Sequence, residues 1–198
     1  MVVYSAGVGE DISFDLAILA QYPLTTIYAF DPTPKSIGYV QRQNLPVNFR
    51  FFPYGVSDQT GEKTFFLPKN PDFVSGSIEQ HADVAAERQL VVPMKSLRDI
   101  AAEHGHRYLD ILKMDIEGSE FAVIESLAAS GIVCGQILVE FHGRFWKNGK
   151  KRLRNAIATL NNCGYYCFAI SESGDEYAFI NQKEYKKRAL FIRKQGAK

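Results

Sequence analysis

The sequence predicts an α/β fold: an open, mostly parallel sheet wound with helices on both faces. Three observations carry that expectation. Strand-like apolar runs alternate with helical patterns through the first fifty residues, the first two runs stop at Gly7-Val8-Gly9 and Asp31-Pro32, and the last third of the chain ends in β-rich segments. Alternation of this kind builds right-handed βαβ crossovers and hence parallel strands.

Val2 to Ala6 is a short apolar run, and Ile12, Leu16, Ala17, Leu19 and Ala20 follow the glycine turn at helical spacing, so strand, turn and helix is the parse. Thr25 to Phe30 is β-branched and aromatic and forms a second strand. Pro34 opens a helix to about Gln43, since proline is tolerated in a first turn, and Val47 to Pro53 is a third strand. The rhythm then breaks. Ser57 to Gly61 is turn-rich, Lys63 to Leu67 and Leu90 to Pro93 are short strands, and Pro68 to Ser77 is a polar loop; residues 58–93 are therefore expected to form an insertion or flap.

Ser96 caps a helix to about His104, and Leu109 to Met114 is apolar enough for a buried central strand. Asp115-Ile116-Glu117-Gly118 is the turn beyond it, and Ser119 to Ala129 is an amphipathic helix closed by Gly131. Gln136 to Phe141 is the next strand, and the basic segment Lys147 to Arg154 leads into a helix ending near Asn162. Tyr165 to Ile170, Tyr177 to Ile180 and Ala189 to Ile192 close the chain as a partly antiparallel set.

With 198 residues, 46% of them apolar, the chain suits one globular domain spanning 1–198. Its 23 Lys and Arg against 22 Asp and Glu create no global field, so neither nucleic acid nor an anionic membrane is an expected partner. No apolar run approaches the ~18 residues of a membrane span. Cys134, Cys163 and Cys167 are too few for a four-ligand zinc site and odd in number for a disulfide framework, which points to reduced thiols and a cytoplasmic location.

In an open parallel sheet, ligands bind beyond the C-terminal ends of the strands. Gly7 and Gly9 let the backbone approach a ligand there, and Asp31, 22 positions after Gly9, suits a carboxylate accepting the ribose hydroxyls of an adenosine cofactor. A dinucleotide would want a third glycine where Ile12 stands. Glu10 and Asp11 would repel a pyrophosphate but can meet an ammonium group, which favours S-adenosylmethionine over NAD. Two further strand ends concentrate ionisable groups: Lys113 with Asp115 and Glu117, and Glu140 with His142, which strand alternation places on one face.

The segments YSAGVGEDISFD, YAFDPTP, GVSDQTGEKTFF, LDILKMDIEGSEFAVI and LVEFHGRF together resemble the FkbM-type S-adenosylmethionine-dependent methyltransferases over about residues 2–192. The resemblance implies a class I methyltransferase (Rossmann-like) sheet. It implies that Gly7 and Gly9 face the methionine part of the cofactor, that Asp31 and the adjoining Pro32 hold the ribose end, that Gly55 to Asp58, including Ser57, lie by the adenine, and that Asp115 forms the floor of the reaction site. Where many members carry DxGANxG, this chain has Ser5-Ala6-Gly7-Val8-Gly9-Glu10-Asp11; Ser5 is expected among the cofactor contacts, and Glu10 or Asp11 to take over those of the missing acid.

The expected activity is O-methylation of a sugar or natural-product hydroxyl. In this reading His142 is the general base oriented by Glu140, Asp115 binds the acceptor or the cofactor ammonium, and Lys113 tunes Asp115. No metal is expected; the variant in which Asp115, Glu117, Glu140 and His142 ligate Mg²⁺ is secondary. Two other classes stand as alternatives: a non-catalytic adenosyl-binding domain, and an NAD-dependent oxidoreductase, which the missing third glycine and the lack of a Tyr-x-x-x-Lys pair disfavour.

Overall fold

The structure, a computed structural model, describes residues 1–68 and 84–187. The first half follows the expected rhythm: β1 (Val2–Ala6), α1 (Ser13–Gln21), β2 (Thr26–Phe30), α2 (Pro34–Gln41) and β3 (Phe49–Phe52). After these come β4 (Gly55–Ser57), β5 (Gly61–Pro68), β6 (Val84–Ser96) and α3 (Leu97–Glu103). The remainder is β7 (Tyr108–Met114), α4 (Glu120–Ser130), β8 (Val133–Glu140), a 3₁₀ turn over Gly143–Phe145, α5 (Gly149–Asn162), β9 (Tyr165–Ile170) and β10 (Glu176–Asn181).

Seven strands form one sheet in the order β3-β2-β1-β7-β8-β10-β9. The first five are mutually parallel, whereas β10 runs antiparallel to both β8 and β9. The winding reverses between β1 and β7, so their C-terminal ends diverge around a crevice. One face packs α1 and α2 through Leu19 and Val40 against Val3, Ile27, Ala29 and Ile111. The other packs α3, α4 and α5 through Ile100, Ile124 and Leu160 against Tyr4, Phe30, Leu112 and Ile137.

The middle of the chain departs from the expected plan. Gly55–Ser57 is a strand rather than the approach to a turn, and it pairs parallel to β6, which in turn pairs antiparallel to β5. These three form a separate sheet with its own small core of Phe65, Val92 and Met94. Periodicity cannot announce a three-residue strand, because its pairing partner lies about forty residues away. The expected loop beyond Pro68 and the expected strand at Ala189 to Ile192 fall outside the described residues.

The parallel register of β1 with β7 sets Ser5 against Lys113 and Ala6 against Met114. The Asp115 N–H donates to the Ala6 carbonyl at 3.0 Å, and the Gly7 N–H donates to Phe30 at 2.9 Å. The chain leaves β1 with Gly7 at φ +82°, so close to β7 that a Cβ there would stand 1.6 Å from the Asp115 carbonyl oxygen. Gly7→Ala therefore forces the ends of β1 and β7 apart as well as straining φ, and is expected to destabilise the protein by roughly 3 kcal/mol or more, read by urea unfolding.

Candidate active site

A cleft of about 210 Å³ opens where β1, β2 and β7 end, lined by residues 7–11, 30–33 and 115–117, with Gly55, Val56, Phe65 and Met94 across from them. Its walls are apolar and its polar groups are acidic: Glu10, Asp11, Asp31, Asp115 and Glu117 line it, and among the described residues no Lys or Arg does.

Asp31 holds the turn of the cleft together. One carboxylate oxygen accepts the N–H groups of Val8 and Gly9, both at 3.0 Å, while the other accepts the Thr33 N–H at 2.8 Å and its hydroxyl at 2.6 Å. Four donors match the roughly four lone-pair sites of a carboxylate. Asp11 is engaged too: it accepts the Ser13 N–H at 2.7 Å and hydroxyl at 3.1 Å at the start of α1, and these bonds hold its carboxyl below the ordinary value.

Below the cleft lies a buried ionic cluster. Glu120 is fully buried in the first turn of α4 and accepts the N–H groups of Ile116 and Gly118, at 3.3 and 3.0 Å. It also takes a 2.6 Å hydrogen bond from Nδ1 of His142, whose ring is 1% exposed and stacks on Phe145. The other ring nitrogen, Nε2, stands 3.3 Å from Glu117, 3.5 Å from Glu140 and 3.7 Å from Asp115. Burial pulls the His142 pKa down, but the bond and charge of Glu120, with the charges of Glu117 and Asp115, outweigh it and push the value up to about 9. The ring is thus a cation at neutral pH. Glu117 reaches it from a left-handed backbone, φ 49°, unusual for a residue with a side chain.

Residues 7–167 match the Methyltransferase FkbM domain. This chain belongs to the FkbM methyltransferase family. The chain is 29% identical over 116 residues to the 2-O-methyltransferase NoeI of Sinorhizobium fredii, covering 52% of this chain and 47% of NoeI. It is 24% identical over 195 residues to the probable methyltransferase-like protein 24 of Homo sapiens, covering 97% of this chain and 45% of that protein. The chain thus spans about half the length of the curated relatives it matches. A Clostridium thermocellum crystal structure, provisionally named an rRNA-methylase, superimposes with TM-score 0.51 at 11% identity over 90% of this chain and 83% of that one, and it shares the class I methyltransferase fold.

In this FkbM domain, Gly7, Gly9, Glu10, Asp11, Asp31, Pro32 and Asp115 come together around the cleft. Three expected residues do not reach it. Ser5 is fully buried on the α1 side of β1. Ser57 and Asp58 turn to Lys63, whose Nζ lies 2.5 and 2.9 Å from them, so from that stretch Gly55 and Val56 line the cleft instead. Strand alternation and the ion pair with β5 turn the two polar side chains away.

At His142, expected as the general base, the pKa is pushed up to about 9, and the carboxylate hydrogen-bonded to its ring is Glu120 rather than Glu140. Glu120 reads in sequence as an ordinary acid of a helix N-terminus. The overlooked signal was its position on the buried stripe of α4 with Val123, Ile124 and Leu127. Trp146, partly buried, packs edge-on against Phe121 and under Arg152, against the core of this domain.

A second cavity, of about 390 Å³, adjoins the cleft and shares Asp115 with it. Phe14, Lys113, Leu138, Glu140, Ile170 and Tyr177 are among its walls. The Lys113 ammonium leans toward the Gly7 carbonyl at 3.4 Å. Burial raises the Asp115 pKa, and the charges of Lys113 and His142 oppose the rise.

Folding lifts the His142 pKa from its ordinary 6.5 to about 9. The stability this contributes is complete below about pH 6.5 and is lost as pH rises toward 9. Glu120→Gln removes the charge that holds the proton: the ring should titrate well below 9 by NMR, and the protein should lose roughly 1–3 kcal/mol at pH 7.

Proposed function

We propose that this chain is an S-adenosylmethionine-dependent O-methyltransferase acting on a hydroxyl of a small saccharide or natural product. The observation that carries the reading is the meeting of two cavities at Asp115, one acid-lined and one open to an acceptor. NoeI, named for 2-O-methylation, supports the oxygen acceptor.

The cleft suits S-adenosylmethionine by its chemistry. Five carboxylates, with no lysine or arginine among the described lining residues, attract a ligand with an ammonium and a sulfonium and repel a pyrophosphate. Glu10 and Glu117 are placed for the cationic end, and Val56, Phe65 and Met94 offer an apolar wall for the base. Asp31 shapes the turn on which the ribose end would rest, through its bonds to Val8 and Gly9. Bound there, the cofactor supplies a sulfonium methyl group that forms a bond to the acceptor oxygen while the electron pair of the broken C–S bond stays on sulfur.

This chain's own residues do the positioning and the proton handling. Asp115, at the junction, accepts the proton that the acceptor hydroxyl releases; the burial that raises its pKa makes it a better base than an exposed aspartate. The His142 cation does not take that proton. It holds Asp115, Glu117 and Glu140 in register by charge, while Glu120 fixes the ring from behind. Lys113 moderates Asp115, its charge opposing the rise that burial causes. The unpaired state of Cys134, Cys163 and Cys167 is in keeping with a cytoplasmic setting, and no helix among the described residues is long and apolar enough to cross a membrane.

Calorimetry tests the cofactor: S-adenosylhomocysteine should bind at micromolar concentration and NAD should not, and the opposite pattern would defeat the proposal. Asp115→Asn should lower kcat on the order of a hundredfold or more while leaving S-adenosylhomocysteine affinity within a few-fold. The rate should rise with pH as Asp115 ionises and fall again near 9 as His142 loses its charge. A flat pH profile would remove both assignments.

A further inference from the structure

We infer that Asp15 is a positioning residue of the proposed methyl-transfer site: from the core behind the glycine turn it shares the Lys113 ammonium with Asp115, and so preserves the basicity of Asp115. The inference rests on the methyltransferase reading above and adds to it a residue that lines neither cavity.

The buried side of α1 is an apolar stripe with one exception. Ile12, Asp15 and Leu19 recur at helical spacing and are all buried, Asp15 at 2% exposure, where the helix meets Val3, Ile27, Ala29 and Ile111. A leucine or alanine would suit that position. A carboxylate there is taken out of water, and its Oδ1 has no hydrogen-bond partner. Burial pushes the Asp15 pKa up, Ser5 and Lys113 oppose the rise, and the charge of Asp11 adds to it.

The sheet answers this acid with one line of polar side chains. Strand alternation turns Ser5 and Lys113 to the α1 face, and the parallel register of β1 with β7 sets them opposite each other. Ser5 is fully buried, and its Oγ also lacks a hydrogen-bond partner. The Lys113 ammonium donates to the Gly7 carbonyl at 3.4 Å, which leaves it between Asp15 in the core and Asp115 at the cavity, and its charge acts on both. It acts on Asp11 as well, whose carboxylate Ser13 already holds. Without the charge of Asp15, Lys113 would act on Asp115 less opposed, lower its pKa and weaken it as a base. A buried acid that costs stability while it adjusts a reactive neighbour is what a functional group looks like in a core.

NMR titration of the side-chain carboxyls of the full chain tests this, with Asp15→Asn and Asp115→Asn assigning the two resonances. In the unaltered protein Asp15 should titrate above an exposed aspartate yet be ionised at pH 7; a carboxyl still protonated there overturns the inference. Asp15→Asn should lower the Asp115 midpoint by roughly half a pH unit or more, with a thermal midpoint at or above that of the unaltered protein. His142, Glu120 and Asp31, which also act on Asp115, are untouched by this change. In a Lys113→Met background the same substitution should move Asp115 by less than half as much. An Asp115 midpoint that stays or rises, a shift of equal size without Lys113, or a loss of thermal stability as the sole effect overturns the inference and leaves the methyltransferase reading standing. Failure of S-adenosylhomocysteine to bind overturns that reading instead, and the carboxyl titrations still report on Asp15.

Discussion

The close approach of two backbones at Gly7 and Asp115 is the constraint on which the site depends. Because no side chain separates them, β1 and β7 end side by side, and the glycine turn of one lies against the C-terminal end of the other. The Asp31 carboxylate then binds the turn to β2 through Val8 and Gly9. A ligand held by the turn is thereby brought within reach of Asp115. In this way a steric requirement at one residue becomes a geometric relation between a binding element and a reactive group.

A second constraint is electrostatic. Asp115, Glu117, Glu120 and Glu140 crowd around one imidazole, an arrangement that would be unstable if the ring were neutral. Burying Glu120 beneath it supplies both a hydrogen bond and a charge, and the ring becomes the counter-cation of the cluster. On the proposed reading, proton acceptance falls to a carboxylate and support to the histidine, the reverse of what residue types alone suggest. Glu140, at the edge of this cluster, also lines the adjoining cavity together with Lys113.

The small sheet of β4, β5 and β6 completes the cleft from the other side. Its strands carry Val56, Phe65 and Met94 toward the ends of β1 and β2. The main sheet contributes the polar turns, and the inserted sheet contributes an apolar wall. The main sheet adds Val8, Phe30 and Ile116 to its acids, and the facing wall comes from the small sheet, so the cleft is a product of their juxtaposition.

The sequence by itself determined the sheet, its winding and most of the cleft. Apolar periodicity, the glycines at 7 and 9 and the acid at 31 are local signals, and local signals survive without coordinates. The strand at Gly55–Ser57 was not legible, because three residues carry no period and their partner strand is remote. Nor was the turning of Ser57 and Asp58 toward Lys63, or the burial of Ser5. The protonation of His142 was the largest departure. A histidine's charge depends on what surrounds it, and Glu120 is 22 residues away in the chain and in contact only once α4 and β8 are packed. Which residues belong near the site is written in local pattern; which of them holds the proton was decided by tertiary burial and by the sum of the charges it brought together.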